Sequence, residues 1–203
     1  PNSDLNKSKT ILKNPLKQLF AVFKEEKIRK LSLAFFIYFI AFTGLTNILI
    51  FFLQESLGWT TKASSGTLVV VGIIAIIVQG GLIGPLVKKF GEMKLTLIGS
   101  GFILLACVLL ITSPKENAIV NIYCAVSFLA VGAGLITPTL RALISRKLDI
   151  DKQGSILSNL QGLQSLGGVL GIAMAGRVYD EFGPKSPFIA CLLYTSDAAD
   201  EQL

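Results

Sequence analysis

The side chains in this sequence that could do chemistry are nearly all uncharged, and they sit within long apolar runs. Thr43, Asn47 and Gln54 lie in the first run, Gln79 in the second, and Ser158, Gln161, Gln164 and Ser165 in the fifth. Thr43 and Asn47 are four apart and share a helical face. Ser158, Gln161 and either Gln164 or Ser165 form a stripe at i, i+3, i+7 spacing. Hydroxyls and amides so placed can hydrogen-bond to a ligand or a neighbouring helix, but they are neither general bases nor activated nucleophiles. The 203 residues contain no histidine, the commonest metal ligand and the usual base near neutral pH. No nucleophile, base and orienting group converge at a readable spacing. The expectation is a protein that is not an enzyme and that uses no metal and no cofactor. Polar groups are expensive in apolar surroundings, so the mid-run residues are read as the wall of a wet substrate cavity. The competing reading is hydrogen bonding between helices, worth about 0.6–2 kcal/mol per contact. No Asp or Glu lies in the centre of a run, so no proton carrier is evident.

The elements that must position these residues are membrane helices. Hydrophobic residues make up 52% of the chain and charged ones only 16%, with a mean hydropathy of +0.65. A soluble domain carries about a quarter charged residues and interrupts its apolar runs far more often. Here five nearly charge-free segments, at about 31–53, 66–87, 95–111, 119–145 and 155–177, each approach the ~20 residues a helix needs to cross a ~30 Å hydrocarbon layer. Residues 186–190 read as the start of a sixth. The predicted fold is an all-α membrane protein with five complete transmembrane helices and the beginning of another. Cys107 and Cys124 lie inside the spans and read as small apolar residues rather than as a disulfide framework.

Placement of charge sets the expected orientation. Of the 19 Lys and Arg residues, all but Lys62, Lys115, Arg177 and Lys185 fall in the first 30 residues or in the second and fourth connections. The positive-inside rule then puts the N-terminus in the cytoplasm, and it accounts for the net charge of +6 without nucleic acid. Residues 1–30 read as a basic cytoplasmic linker. Within it Asn14 can cap a helix, Pro15 suits its first turn, and Leu16, Leu19, Phe20 and Phe23 recur at helical spacing on a surface-lying face.

Residues 31–190 read as the transmembrane unit, and residues 191–203 as a non-native tail, because CLLYTSDAADE resembles the translation of a transposon-based sequencing-library adapter. Since the chain opens on Pro1, its true start is expected to lie upstream.

Two spans carry small-residue punctuation. Gly80 and Gly84 are four apart, which lets another backbone approach. Pro85 can kink the helix, Lys88 and Lys89 suit its C-terminal dipole, and Gly91 can end it. Gly167, Gly171 and Ala175 repeat the spacing in the fifth span. Two such stripes favour helices that must slide or rock.

Three stretches carry a family resemblance: Gly84-Pro85-Leu86-Val87-Lys88-Lys89-Phe90-Gly91-Glu92, the run Gly134 to Ser145 with Pro138 and Arg141, and Gln153-Gly154-Ser155 followed by Gln161 to Gly167. From about Asn14 to Ala190 the chain resembles the C-terminal half of a major facilitator superfamily transporter, nearest to the tetracycline-resistance and multidrug proton-antiporter branch. It departs from tetracycline exporters at Gly171-Ile172, where they show Gly-Pro. The resemblance implies helices seven to eleven and the start of twelve, in a carrier of two six-helix halves built from inverted repeats that rock around a site near the midplane. It implies proton-coupled export of a small amphipathic compound from a bacterial inner membrane. The implied partners are an N-terminal six-helix half, the small-molecule substrate, protons and the lipid bilayer. Gly80, Gly84, Pro85, Lys89, Gly91, Pro138, Arg141, Gly167 and Gly171 would serve helix packing and gating. A metabolite or sugar carrier, or a receptor or scaffold that binds without transporting, is the alternative.

Overall fold

The apolar runs become helices whose ends are set largely by glycine. In the computed structural model, which describes residues 19–113 and 118–200, α1 spans Arg29–Leu57 and stops at Gly58, whose φ of 67° carries its N–H back to the Leu53 carbonyl. After a short turn Thr60 caps α2 (Thr61–Phe90) by accepting from the Ala63 N–H at 3.3 Å. Gly91, at φ 77°, ends α2 and leads directly into α3 (Glu92–Ile111). The remaining elements are α4 (Ala118–Arg146), α5 (Ile150–Phe182) and α6 (Ser186–Asp200). The surface helix expected from Asn14 lies mostly outside the described residues, as does Lys115. Its described end is a single 3-10 turn, Phe20–Phe23, with Val22 buried.

Helix α2 is not regular. Residues Val78–Leu82 form a π-helical turn in which the Ile83 N–H reaches the Val78 carbonyl. The sequence supplies the reason: Pro85 has no N–H to offer the Gly81 carbonyl, and Gly80-Gly81 lets the backbone widen at little steric cost. Pro138 similarly leaves the Gly134 carbonyl of α4 without its helical donor, though α4 continues to Arg146.

Packing joins α1 to α5 and α3 to α4 most extensively; α6 lies on α3 and α1, and α2 rests on α4. The main core holds Phe35, Leu45 and Phe52 of α1, Leu110 of α3, Ile122 and Leu129 of α4, Leu160 of α5 and Phe188 of α6. A smaller cluster of Val78, Leu95 and Leu135 ties α2 to α3 and α4. In its most apolar stretch α4 is 50% buried and α2 only 11%.

Among the described residues α1, α2, α3 and α4 are long and apolar enough to cross a membrane. Helix α5, which contains the expected fifth span, has 33 residues, ample length, but is more polar. The residues that make it so, Ser158, Asn159, Gln161, Gln164 and Ser165, include the stripe singled out in the sequence. Helix α6 runs past the expected boundary at Ala190, with Phe188 and Cys191 both buried.

Candidate functional site

The polar side chains converge where α4 crosses α5. Arg141 stands one turn beyond Pro138, and its Nη2 donates to Gln161 Oε1 at 2.7 Å and to Gln164 Oε1. Its guanidinium lies 5.9 Å from the centre of the Phe35 ring on α1. Its Nε is buried and meets no acceptor among the described residues. Three helices thus meet at one cation, which has no carboxylate within 4.0 Å among the described residues.

Neighbouring contacts fix α4 at this level. Thr139 and Thr96 share a buried hydroxyl hydrogen bond of 2.9 Å, and Tyr38 Oη is 3.5 Å from Thr137 Oγ1. One turn nearer the end of α4, Arg146 pairs with the mostly buried Glu92 at 2.8 Å. Glu92 opens α3, so this pair clamps the two helices where the α2–α3 turn begins. Beside Tyr38, α1, α3, α4 and α6 enclose a cavity of about 40 Å³ lined in part by Thr96 and Ser100. A larger, apolar space of about 340 Å³ lies between α1, α5 and α6, with Ile37, Ile40, Met174 and Val178 on its walls.

Of the residues proposed from the sequence as a cavity wall, only Gln161 and Gln164 are brought together, both on Arg141. Ser165 bonds the Gln161 carbonyl at 3.1 Å and Ser158 the Gly154 carbonyl at 3.2 Å, each within its own helix. On α1, exposed Asn47 donates to the Thr43 carbonyl at 2.9 Å. Thr43 itself faces α5, its Cγ2 3.6 Å from where a Cβ on Gly168 would stand. Gln54 is half-buried, and Gln79 is exposed at the π-helical turn.

The packing residues divide just as sharply. At Gly167 a Cβ would come within 3.3 Å of the Phe36 carbonyl oxygen, and at Gly171 it would run into the Ile40 carbonyl. At Gly80 and Gly84 it would meet nothing within 4 Å. Among the described residues no helix packs against these two, and both are exposed on α2. Pro85 and Lys89 are also exposed, the Lys89 ammonium lying 5.2 Å from the ring centre of the adjacent Phe90.

Sequence reasoning missed four glycines at close helix approaches: Gly44, Gly99, Gly132 and Gly134. Gly44 faces Gly171 across α1 and α5, where an added Cβ would sit 2.7 Å from the Gly171 oxygen. Gly99 and Gly132 face each other across α3 and α4, an added Cβ at Gly132 sitting 2.7 Å from the Gly99 oxygen. Gly134 receives Val78 from the π-helical turn, 2.9 Å from an added Cβ. Gly132-Ala133-Gly134 and Gly99-Ser100-Gly101 were visible signals inside apolar spans.

A family model described as Major Facilitator Superfamily matches residues 1–172. The chain is 28% identical to "Tetracycline resistance protein, class C" of Escherichia coli over 64% of its length and 32% of that protein's. It is 24% identical to "Multidrug resistance protein 2" of Bacillus subtilis, covering 73% of this chain and 37% of the other. It is also 24% identical to "Hippocampus abundant transcript-like protein 1" of Rattus norvegicus, over 85% and 34% respectively. The chain spans about a third of the length of the curated relatives it matches.

Proposed function

The chain belongs to the major facilitator superfamily, a family of transporters rather than enzymes, and we propose that it is the C-terminal half of a carrier that exports small amphipathic compounds in exchange for protons. Membership makes it a membrane transport protein with a small-molecule substrate. The finer reading is carried by its similarity to two proteins named for drug resistance, one for tetracycline and one for several drugs. A single half would offer only one wall of a site that such carriers build between two. Gln161 and Gln164 with Arg141 on this half are the groups we assign to substrate, and Thr43 and Asn47 on α1 a second polar patch. Helix α6, with 15 residues, would supply the start of the sixth span and not a complete crossing. The charge asymmetry supports a cytoplasmic N-terminus, and similarity to resistance proteins of Escherichia coli and Bacillus subtilis supports a bacterial plasma membrane.

Everted vesicles containing the full-length carrier provide the test. 2-Naphthoate, a small amphipathic compound, should be taken up when a proton gradient is imposed and released when an uncoupler collapses it. This chain alone should move none. Transport that persists after uncoupling would remove proton exchange, and transport by the isolated chain would remove the half-carrier reading.

A further inference from the structure

We propose that Arg141, Gln161 and Gln164 form a recognition point for an anionic group, so that the site takes a carboxylate or similarly charged end of an amphipathic molecule. The argument comes from counting donors and acceptors. A guanidinium has five N–H donors and no acceptor. Here Nη2 engages the Oε1 atoms of both glutamines. That choice settles the orientation of the two amides, because an amide nitrogen facing a guanidinium would set donor against donor. Once both oxygens are turned to Arg141, each glutamine presents its NH₂ elsewhere. The buried Arg141 Nε has no acceptor among the described residues. Apart from the buried Nε, what the cluster offers to anything approaching it is the amide NH₂ groups, together with one positive charge.

The charge is not neutralised locally. The salt bridge among the described residues pairs Glu92 with Arg146, not with Arg141. Amide oxygens orient a guanidinium without cancelling its charge, and an uncompensated cation in a low-dielectric wall favours an anion beside it. Gln161 is exposed and Arg141 half-exposed, so the group is reachable. The Phe35 ring beside the guanidinium adds an apolar surface, which suits an anion attached to an apolar body. A cationic drug would meet repulsion and unanswered donors.

That the anion is cargo rests on the transporter reading; that the cluster binds an anion does not. The test uses the full-length carrier in nanodiscs of phosphatidylcholine, with 2-naphthoate as probe and 2-naphthylmethylammonium as the charge-inverted control. Naphthoate should bind, and Arg141→Gln should weaken it about tenfold or more, the loss expected for a charge-assisted hydrogen bond. Arg141→Lys should fall between, since it keeps the charge but loses the planar donor array. Gln161→Glu, nearly isosteric and so safe for the fold, should also abolish naphthoate binding by supplying the missing carboxylate internally. Binding of the ammonium probe should not weaken in any of these variants. Naphthoate binding unchanged in Arg141→Gln and Gln161→Glu, or preference for the ammonium probe, would overturn the proposal. Phosphatidylglycerol at a third of the lipid tests the other source of an anion. If Arg141 responds only to that lipid and never to naphthoate, the occupant is a headgroup and the cargo assignment falls. Arg141-dependent naphthoate binding without any naphthoate movement in vesicles would keep the site and remove the transporter reading.

Discussion

A side chain added at Gly171 of α5 would run into the Ile40 carbonyl of α1, whereas one added at Gly84 of α2 would find nothing within 4 Å. The two positions look alike in the sequence, each the second member of a glycine pair four residues apart. They differ in whether the partner backbone lies within the described chain. In α5 the glycines are consumed: Gly44 and Gly171 bring α1 and α5 into backbone contact, the geometry that dispersion and close packing reward in a membrane. In α2 they are unspent, and the same helix exposes Val69, Ile73 and Ile76. Small-residue spacing therefore reports that a helix can be approached closely, and the packing reports whether it already has been.

The sharpest way to break this contrast is to fill both positions. Gly171→Leu should destabilise the helix assembly by about 3 kcal/mol or more, the upper range for overpacking, because the collision is with backbone rather than a flexible side chain. Reversible unfolding in mixed detergent, with membrane abundance in parallel, measures it. A Gly171→Leu protein as stable as the parent would mean that α1 and α5 do not approach so closely. Gly84→Leu should change stability by less than about 0.5 kcal/mol, as substitutions facing open space do. In the full-length carrier it should nevertheless abolish transport of every substrate, if α2 presents its glycine face to the other half. Full transport by a stable Gly84→Leu protein would assign that face to lipid.

Much of this architecture was legible because lipid imposes a length on apolar segments. The C-terminal ends of α2 and α3 fall close to where Gly91 and the apolar limit near residue 111 placed them. Which helices pair was not legible, and the reason is physical. In a membrane both the lipid-facing and the protein-facing sides of a helix are apolar, so periodicity does not point to the partner as it would in water. Gly99 and Gly132 could be seen, but nothing in either run connects the two. The stripe of Gln161 and Gln164 was legible for the opposite reason: amides stand out against Leu and Val. Its anchor, Arg141, was visible, but its bonds to Gln161 and Gln164 were not, because a basic residue near a helix end reads first as a topological charge. Only the fold shows that it reaches α5.

A smaller effect separates the buried polar contact from the exposed ones. Thr96→Val removes one hydroxyl of the pair with Thr139, and Thr139 keeps bonds of 2.7 Å and 3.0 Å to its own helix. The expected loss is about 0.6–1 kcal/mol, a modest interhelical bond with no donor left stranded. The same unfolding measurement resolves it. A loss several times larger would show that Thr139 depends on Thr96 more than its backbone bonds suggest.

Asn47 should give the smallest change in stability and the most selective change in function. Its amide donates to the Thr43 carbonyl one turn earlier on the same helix, and that carbonyl is also part of the intrahelical ladder. Asn47→Ala therefore strands no buried group, and because Ala favours helices more than Asn does, the change in stability should stay within about 0.5 kcal/mol of zero. The exposed amide oxygen remains available to something outside α1. If that something is substrate, Asn47→Ala in the full-length carrier should shift the relative resistance to unrelated toxic compounds while leaving abundance unchanged, since one polar contact matters differently to each ligand. Gln161→Ala makes the informative companion, because Gln161 is tied to Arg141 and Asn47 is not. Its effect should concentrate on anionic compounds, whereas that of Asn47→Ala should not follow charge. Equal losses across all compounds in both variants, tracking abundance, would reduce both amides to helix packing and leave the polar faces of α1 and α5 without a ligand.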